Sequence, residues 1–239
     1  MDVRDGVAEL TLNRPARLNA FDDEQYEEVR LELAALRDDE DVRAVLVTGA
    51  GRAFSAGQDM SEMGGARCFT PFVDELSAFD KPLVAAVNGL AVGVGLTLLL
   101  HCDVVYVAER ARLRAPFVAL GLVPEAASSF LLQAWLGPQR AAEIFFTSRW
   151  IEAEEAVRLG LALRALPEGE LLPAARATAR AIAEGPLGSL RETKRLLLAS
   201  RAEAMRAART AEDAAMFRRI GTPESREAIR AFLEKKRPG

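Results

Sequence analysis

Residues 81–103 read KPLVAAVNGLAVGVGLTLLLHCD, and the rest of the chain is organised around them. The run opens with apolar and β-branched residues at 83–87, the composition of a buried strand. It breaks at Asn88-Gly89, a dipeptide suited to turns with positive φ. Gly93 and Gly95 follow, and Thr97-Leu98-Leu99-Leu100 begins an apolar helical run. A strand feeding a glycine turn that opens a helix leaves N–H groups unpaired at the helix N-terminus, where they favour negative charge. A carbonyl oxygen seated there would be stabilised as it gains charge in a reaction. Two other readings compete. The small residues could serve close packing alone. The run Gly93-Val94-Gly95-Leu96-Thr97-Leu98 also carries the first two glycines of a dinucleotide-binding turn, but Leu98 stands where the third belongs, and the run lies too far along the chain.

Outward from this centre, composition removes several function classes. The chain has 239 residues, half of them hydrophobic, enough for one large domain with a substantial core. Its net charge of −4 argues against nucleic acid as a main partner. Two cysteines, Cys68 and Cys102, make no disulfide framework and point to a reducing compartment. With His101 the single histidine, a histidine-rich metal site is excluded and a Ser-His-Asp triad disfavoured; His101 reads as a packed helix-end residue. No signal pattern stands at the N-terminus, and no apolar run reaches membrane-spanning length. The expectation is a cytoplasmic globular protein that acts at neither membrane nor nucleic acid.

Towards the N-terminus, residues 7–13 alternate as a strand. Asp22 or Asp23 can cap a helix whose apolar positions Tyr26, Val29, Leu33 and Leu36 fall on one face. Residues 42–48 read as a buried strand, followed by the small-residue loop Phe54-Ser55-Ala56-Gly57-Gln58-Asp59. That loop lacks the Lys-Ser/Thr of a phosphate-binding P-loop, and no base is spaced to activate Ser55. Met63-Gly64-Gly65 marks a loop before a helix that ends near Phe79. Towards the C-terminus, 104–108 is a strand and 128–135 a helix. Two readings of Glu125, just before that helix, are open: a helix-capping carboxylate, or one desolvated among small and apolar neighbours and thus usable as a general base. Helices follow at 139–146 and 152–159, the second stopped by Gly160. From 172 the pattern is helical throughout (172–184, 186–200, 201–220 and 223–236). The alternation before it indicates α/β, with a boundary near Gly185.

Segments 12–21 (LNRPARLNAF), 45–60 (VLVTGAGRAFSAGQDM), 81–103, 159–161 (LGL) and 231–238 (AFLEKKRP) together resemble the crotonase superfamily, the enoyl-CoA hydratase/isomerase family. The resemblance implies a ββα spiral core over 1–185 and a helical region over 186–239 used to form a homotrimer or a hexamer built as a dimer of trimers. It implies an acyl-CoA thioester ligand with no separate cofactor and no metal. In that family the thioester oxygen lies between two backbone N–H groups, carried here onto Ala56 and Val94. Ala56, Gly57, Gln58 and Asp59 would line the CoA path. Arg17, Leu18 and Asn19, with Lys235 and Lys236, would meet the nucleotide end. The positions of the two hydratase glutamates hold Thr97 and Phe117, neither of which can activate water or supply a proton. The stretch from Val92 to Phe130 is similar to the Δ3,Δ2-enoyl-CoA isomerases, whose single catalytic glutamate maps onto Glu125. The expected reaction is a shift of a 3-enoyl double bond to the 2-position through a dienolate. The alternatives are a hydratase or other lyase of the same family, and a non-catalytic acyl-CoA binding protein.

Overall fold

The computed structural model describes residues 3–60 and 67–235. Strands β1 (Val3–Arg4) and β2 (Val7–Leu12) lead to helix α1 (Asp23–Asp38). Asp22 caps α1, its carboxylate accepting the Gln25 N–H at 2.9 Å. Tyr26, Val29, Leu33 and Leu36 are all buried, the face their spacing specifies. The chain then repeats one unit. Strands β3 (Ala44–Gly49) and β4 (Ala53–Ser55) precede α2 (Phe69–Ala78). Strands β5 (Leu83–Val87) and β6 (Leu90–Val92) precede the single turn α3 (Val94–Thr97). Strands β7 (Val104–Ala108) and β8 (Arg112–Arg114) precede α4 (Ser128–Leu136). Helix α5 (Pro138–Thr147), β9 (Trp150–Glu152), α6 (Ala153–Leu159) and β10 (Arg164–Leu166) complete the core.

The long strands and the short ones go to different sheets. The first strand of each unit joins a six-stranded sheet of order β1-β2-β3-β5-β7-β10, parallel except at β1. Its central strands AVLVTG and LVAAV are buried throughout, as strands covered on both faces must be. The second strand of each unit joins a four-stranded sheet, β4-β6-β8-β9, in which β4, β6 and β8 run parallel. This is the ββα spiral. It turns sharply between its two strands, and Asn88 holds one such turn, donating from Nδ2 to Gly51 O at 2.8 Å and accepting the Gly49 N–H at 3.2 Å. Gly89 does not take the positive φ that its sequence suggests. It is needed for space: a Cβ there would lie 2.1 Å from Arg52 O.

Helix α7 (Glu168–Ala183) packs across β3, β5 and β7. Then come α8 (Leu187–Ala199), α9 (Ala202–Arg219) and α10 (Pro223–Lys235). Polar ties bind α8 to the core: Arg191 and Arg195 meet Asp80 at 3.1 and 2.7 Å, and the buried Lys194 reaches Asp103 at 2.5 Å. Helix α9 packs on α4, and α10 on the turn Val118–Leu120. Large apolar side chains stay exposed on these helices, among them Leu196, Leu197 and Phe217. No helix among the described residues is long and apolar enough to cross a membrane.

Candidate functional site

Because β4, β6 and β8 run parallel, the loops leaving their C-terminal ends emerge on one edge of the small sheet, where ligand crevices of parallel sheets form. Those loops are 56–60, 93–94 and 115–127. They enclose a cavity of about 720 Å³, closed from the other side by α9 and α10. Arg17, Leu18, Ala56, Gly57, Gln58, Asp59, Val94, Phe117 and Glu125 all line it, so it gathers the expected site residues from four separate segments. Lys235 lies on α10 with its side chain outside the described residues, as Lys236 and Met63-Gly64-Gly65 are entirely. Asn19 is not a rim residue. It is fully buried, and its amide donates to Ala50 O and Ala53 O at 2.9 and 2.8 Å, fixing the Arg17–Leu18 turn against the β3–β4 connection.

Backbone proximity at the centre depends on glycine. A Cβ on Gly57 would stand 2.7 Å from Val92 O, and one on Gly95 would stand 2.7 Å from Ser55 O. The β4 loop and the β6–α3 turn therefore touch. Their N–H groups are not all free. Ala56, expected as a donor to the thioester oxygen, gives its N–H to Leu18 O at 2.9 Å, so that expectation is corrected. Gly57 N–H goes to Ser55 Oγ at 3.2 Å, and Asp59 N–H to Phe21 O at 2.7 Å. The isolated bridge between Phe21 and Gln58 turns the Gln58 N–H away from Phe21, and among the described residues it has no acceptor. The same holds for Val94 N–H, at the first position of α3. Gln58 is further fixed by its side chain, whose Oε1 accepts the Tyr26 hydroxyl at 2.8 Å.

Glu125 opens onto this cavity. Burial, first, and then the charges of Glu212 and Asp213 push its carboxyl up to about 8. It does not cap α4. The N-cap residue Ala127 has no side-chain cap of its own, and the capping carboxylate comes from α9: Glu212 accepts the Ala127 and Ser129 N–H groups, each at 2.7 Å. Glu212 is buried, lines the same cavity, and went unseen in the sequence, where it is one acid in an Ala- and Arg-rich helix. Ala126 and Ala127, directly after Glu125, both sit at positive φ (57° and 60°), the left-handed region that alanine seldom visits. The two positions that the resemblance assigns to hydratase glutamates are closed to acid–base chemistry. Thr97 is fully buried with its hydroxyl on Val94 O at 3.5 Å, and Phe117 presents a ring that also packs on Phe145. Among the described residues, no group of three or more His, Cys, Asp or Glu side chains could hold a metal ion.

Comparison with known proteins agrees with this geometry. A family model described as Enoyl-CoA hydratase/isomerase matches residues 2–239. The "Probable enoyl-CoA hydratase echA8" of Mycobacterium bovis is 33% identical, over 99% of this chain and 94% of its own. The "Enoyl-CoA delta isomerase 2" of Rattus norvegicus is 32% identical, over 97% of this chain and 62% of its own. The crystal structure of the enoyl-CoA hydratase/isomerase from Pseudoalteromonas atlantica T6c superposes with a TM-score of 0.94 at 36% identity, covering 100% of this chain and 97% of that one.

Proposed function

The chain belongs to the enoyl-CoA hydratase/isomerase family, a family that acts on acyl-CoA thioesters, and from that premise we propose that it is an enoyl-CoA isomerase, moving the double bond of a 3-enoyl-CoA to the 2-position. One observation carries this reading: Glu125 lines the cavity with its carboxyl pushed up to about 8. The resemblance supports it by assigning Thr97 and Phe117 to the positions where a hydratase keeps its pair of glutamates.

The chemistry follows from that arrangement. The C2 proton of a 3-enoyl thioester is acidified by both the carbonyl and the double bond. Glu125, ionised, takes it. The dienolate oxygen that results is held by the N–H groups of Gln58 and Val94, a contribution of about 3–4 kcal/mol per donor in comparable sites. Protonated Glu125 then returns the proton at C4. A carboxyl with a pKa near 8 suits both halves, because the pKa of a proton shuttle should lie near the working pH. Proton transfer alone completes the reaction, with no second substrate. Arg17 and Arg67, both exposed and both lining the cavity, supply positive charge for the phosphates of the CoA end. The exposed apolar side chains of α8 and α9 support assembly into a homotrimer or a hexamer built from two trimers.

A second reading rests on Glu212. It places another carboxylate in the cavity, which a hydratase would need, and several relatives, the Mycobacterium bovis protein among them, carry the name "Probable enoyl-CoA hydratase" or "Putative enoyl-CoA hydratase". Both oxygens of Glu212 already accept backbone N–H groups, which favours the single-carboxylate reaction. The test is to offer trans-3-hexenoyl-CoA and, separately, trans-2-hexenoyl-CoA. Conjugation appearing from the first with no gain of water mass supports the isomerase. Water addition to the second without isomerisation refutes it, and inertness of both, with CoA esters still bound, returns the non-catalytic reading.

A further inference from the structure

We propose that Glu212 is the positioning residue for Glu125: from α9 its carboxylate locks the strained turn that aims the Glu125 side chain into the cavity. This rests on the reading of Glu125 as the base.

The turn needs an external lock. Two consecutive alanines at φ 57° and 60° follow Glu125, and such residues persist only where their surroundings over-determine them. Inside the turn there is one bond, Ser128 N–H to Glu125 O at 2.9 Å. The helix it leads into has no local side-chain cap. Glu212 supplies both functions: one oxygen takes the N–H of Ala127, the second left-handed residue, and the other takes the N–H of Ser129, in the first turn of α4. An ionised carboxylate at a helix N-terminus is the favourable sign for both the hydrogen bonds and the helix dipole. The same charge opposes ionisation of Glu125 and so helps keep it in the range where it can exchange protons.

Other charged groups around Glu125 do not duplicate this role. Asp213, the neighbour of Glu212, lies exposed at the cavity wall. Tyr26 of α1 is buried and neutral, its own hydroxyl pushed well above its usual value by burial and by Glu125. Asp59, Arg17 and Arg67 line the cavity from the β4 loop, the N-terminal turn and the turn before α2. His101 also holds the turn, its Nε2 on Ala126 O at 2.9 Å, but of all these groups Glu212 alone accepts N–H groups of the backbone that carries Glu125 into α4.

The test uses the full-length protein and reads Glu125 directly. Glutamate is labelled at the carboxyl carbon, Glu125 is assigned by its loss in Glu125→Gln, and its midpoint is followed by NMR in wild type, Glu212→Gln and Glu212→Ala. Amide exchange at Ala127 and Ser129 is measured in the same samples. The expected result is a midpoint lowered by about one unit in both variants, loss of protection at one amide in Glu212→Gln, whose side chain keeps a single acceptor oxygen, and at both in Glu212→Ala, and in Glu212→Ala a fall in kcat on the order of 10²-fold with KM nearly unchanged. A Glu125 midpoint and amide protection equal to wild type in both variants would overturn the proposal. If the midpoint and amides shift but no 3-enoyl-CoA is turned over by wild type, the positioning role stands and the isomerase reading falls.

Discussion

The Nε2 of His101 lies 2.9 Å from the carbonyl oxygen of Ala126, so the single imidazole of the chain holds the residue that follows Glu125. A carbonyl only accepts, which makes Nε2 the protonated nitrogen. Burial pushes the His101 pKa down to about 4. Between pH 6.5 and 4 the unfolded chain therefore takes up a proton that the native one refuses, and stability falls as the pH drops through that window, by at most about 3 kcal/mol. In His101→Gln an amide can keep the donor without titrating. Chemical denaturation at pH 7 and pH 5 should show a smaller acid loss in the variant than in wild type. Equal losses would mean that other groups govern the acid limb.

Glu125 has the opposite pH signature. Its folded pKa, about 8, lies above the usual carboxylate value of 4.5. As pH rises from 4.5 to 8 the unfolded chain loses a proton the native chain keeps, so stability declines across that range and levels off above it. Glu125→Gln removes the cost. The variant should match wild type at pH 4 and exceed it by on the order of 2–4 kcal/mol at pH 8, while losing turnover and retaining CoA-ester binding. A variant destabilised at pH 8 would show that the carboxylate is compensated by a partner.

Much of this geometry was legible from residue patterns, and the exceptions have physical causes. Long periodic elements read well: α1 with its Asp22 cap, the buried strands β3, β5 and β7, and the helices after residue 172. Strands β4, β6, β8, β9 and β10 each have three residues, too few for a period to register, and only the family resemblance anticipated a second strand in each unit. Most of the cavity residues were named in the same way, whereas Glu125 already stood out by its small and apolar neighbours. Assigning an oxyanion donor to Ala56 failed because neighbouring N–H groups in an extended loop point in alternate directions, and only the bonds to Leu18 and Phe21 reveal which ones are already taken. Glu212 was invisible because its partners lie 85 and 83 residues away.

The wall that α10 adds to the cavity hangs on one glycine. Gly121 has φ +69°, and a Cβ there would stand 2.8 Å from Ser225 Cα on α10. Helix α10 brings Phe232 and Leu233 to the cavity. Gly121→Ala meets backbone rather than a flexible side chain, so α10 must shift. The expected effect is a rise in KM for an acyl-CoA of about tenfold, or 1.4 kcal/mol, with a smaller change in kcat, because Glu125 is held from α9 and the core. Steady-state kinetics check this; a loss confined to kcat would place α10 in the reaction itself rather than in binding.

Val94 allows the oxyanion donor to be deleted without touching the side chains around it. Its N–H is at the first position of α3, where no helical acceptor exists and proline is tolerated. The preceding Gly93 has φ 55° and ψ −121°, close to the first central residue of a type II′ turn. That ψ lies well away from the helical value that clashes with a following proline ring. Val94→Pro should therefore fold, as far-UV circular dichroism and thermal melting can verify, yet lack one of the two proposed donors. If the N–H groups of Gln58 and Val94 hold the dienolate oxygen, kcat drops on the order of 10²–10³-fold. Val94→Gly, which keeps the N–H and removes the side chain, controls for shape and should retain activity within about tenfold, since it loses apolar contact rather than the donor. A folded Val94→Pro enzyme with wild-type kcat would mean that the thioester oxygen lies elsewhere, and with it the placement of the substrate against Glu125.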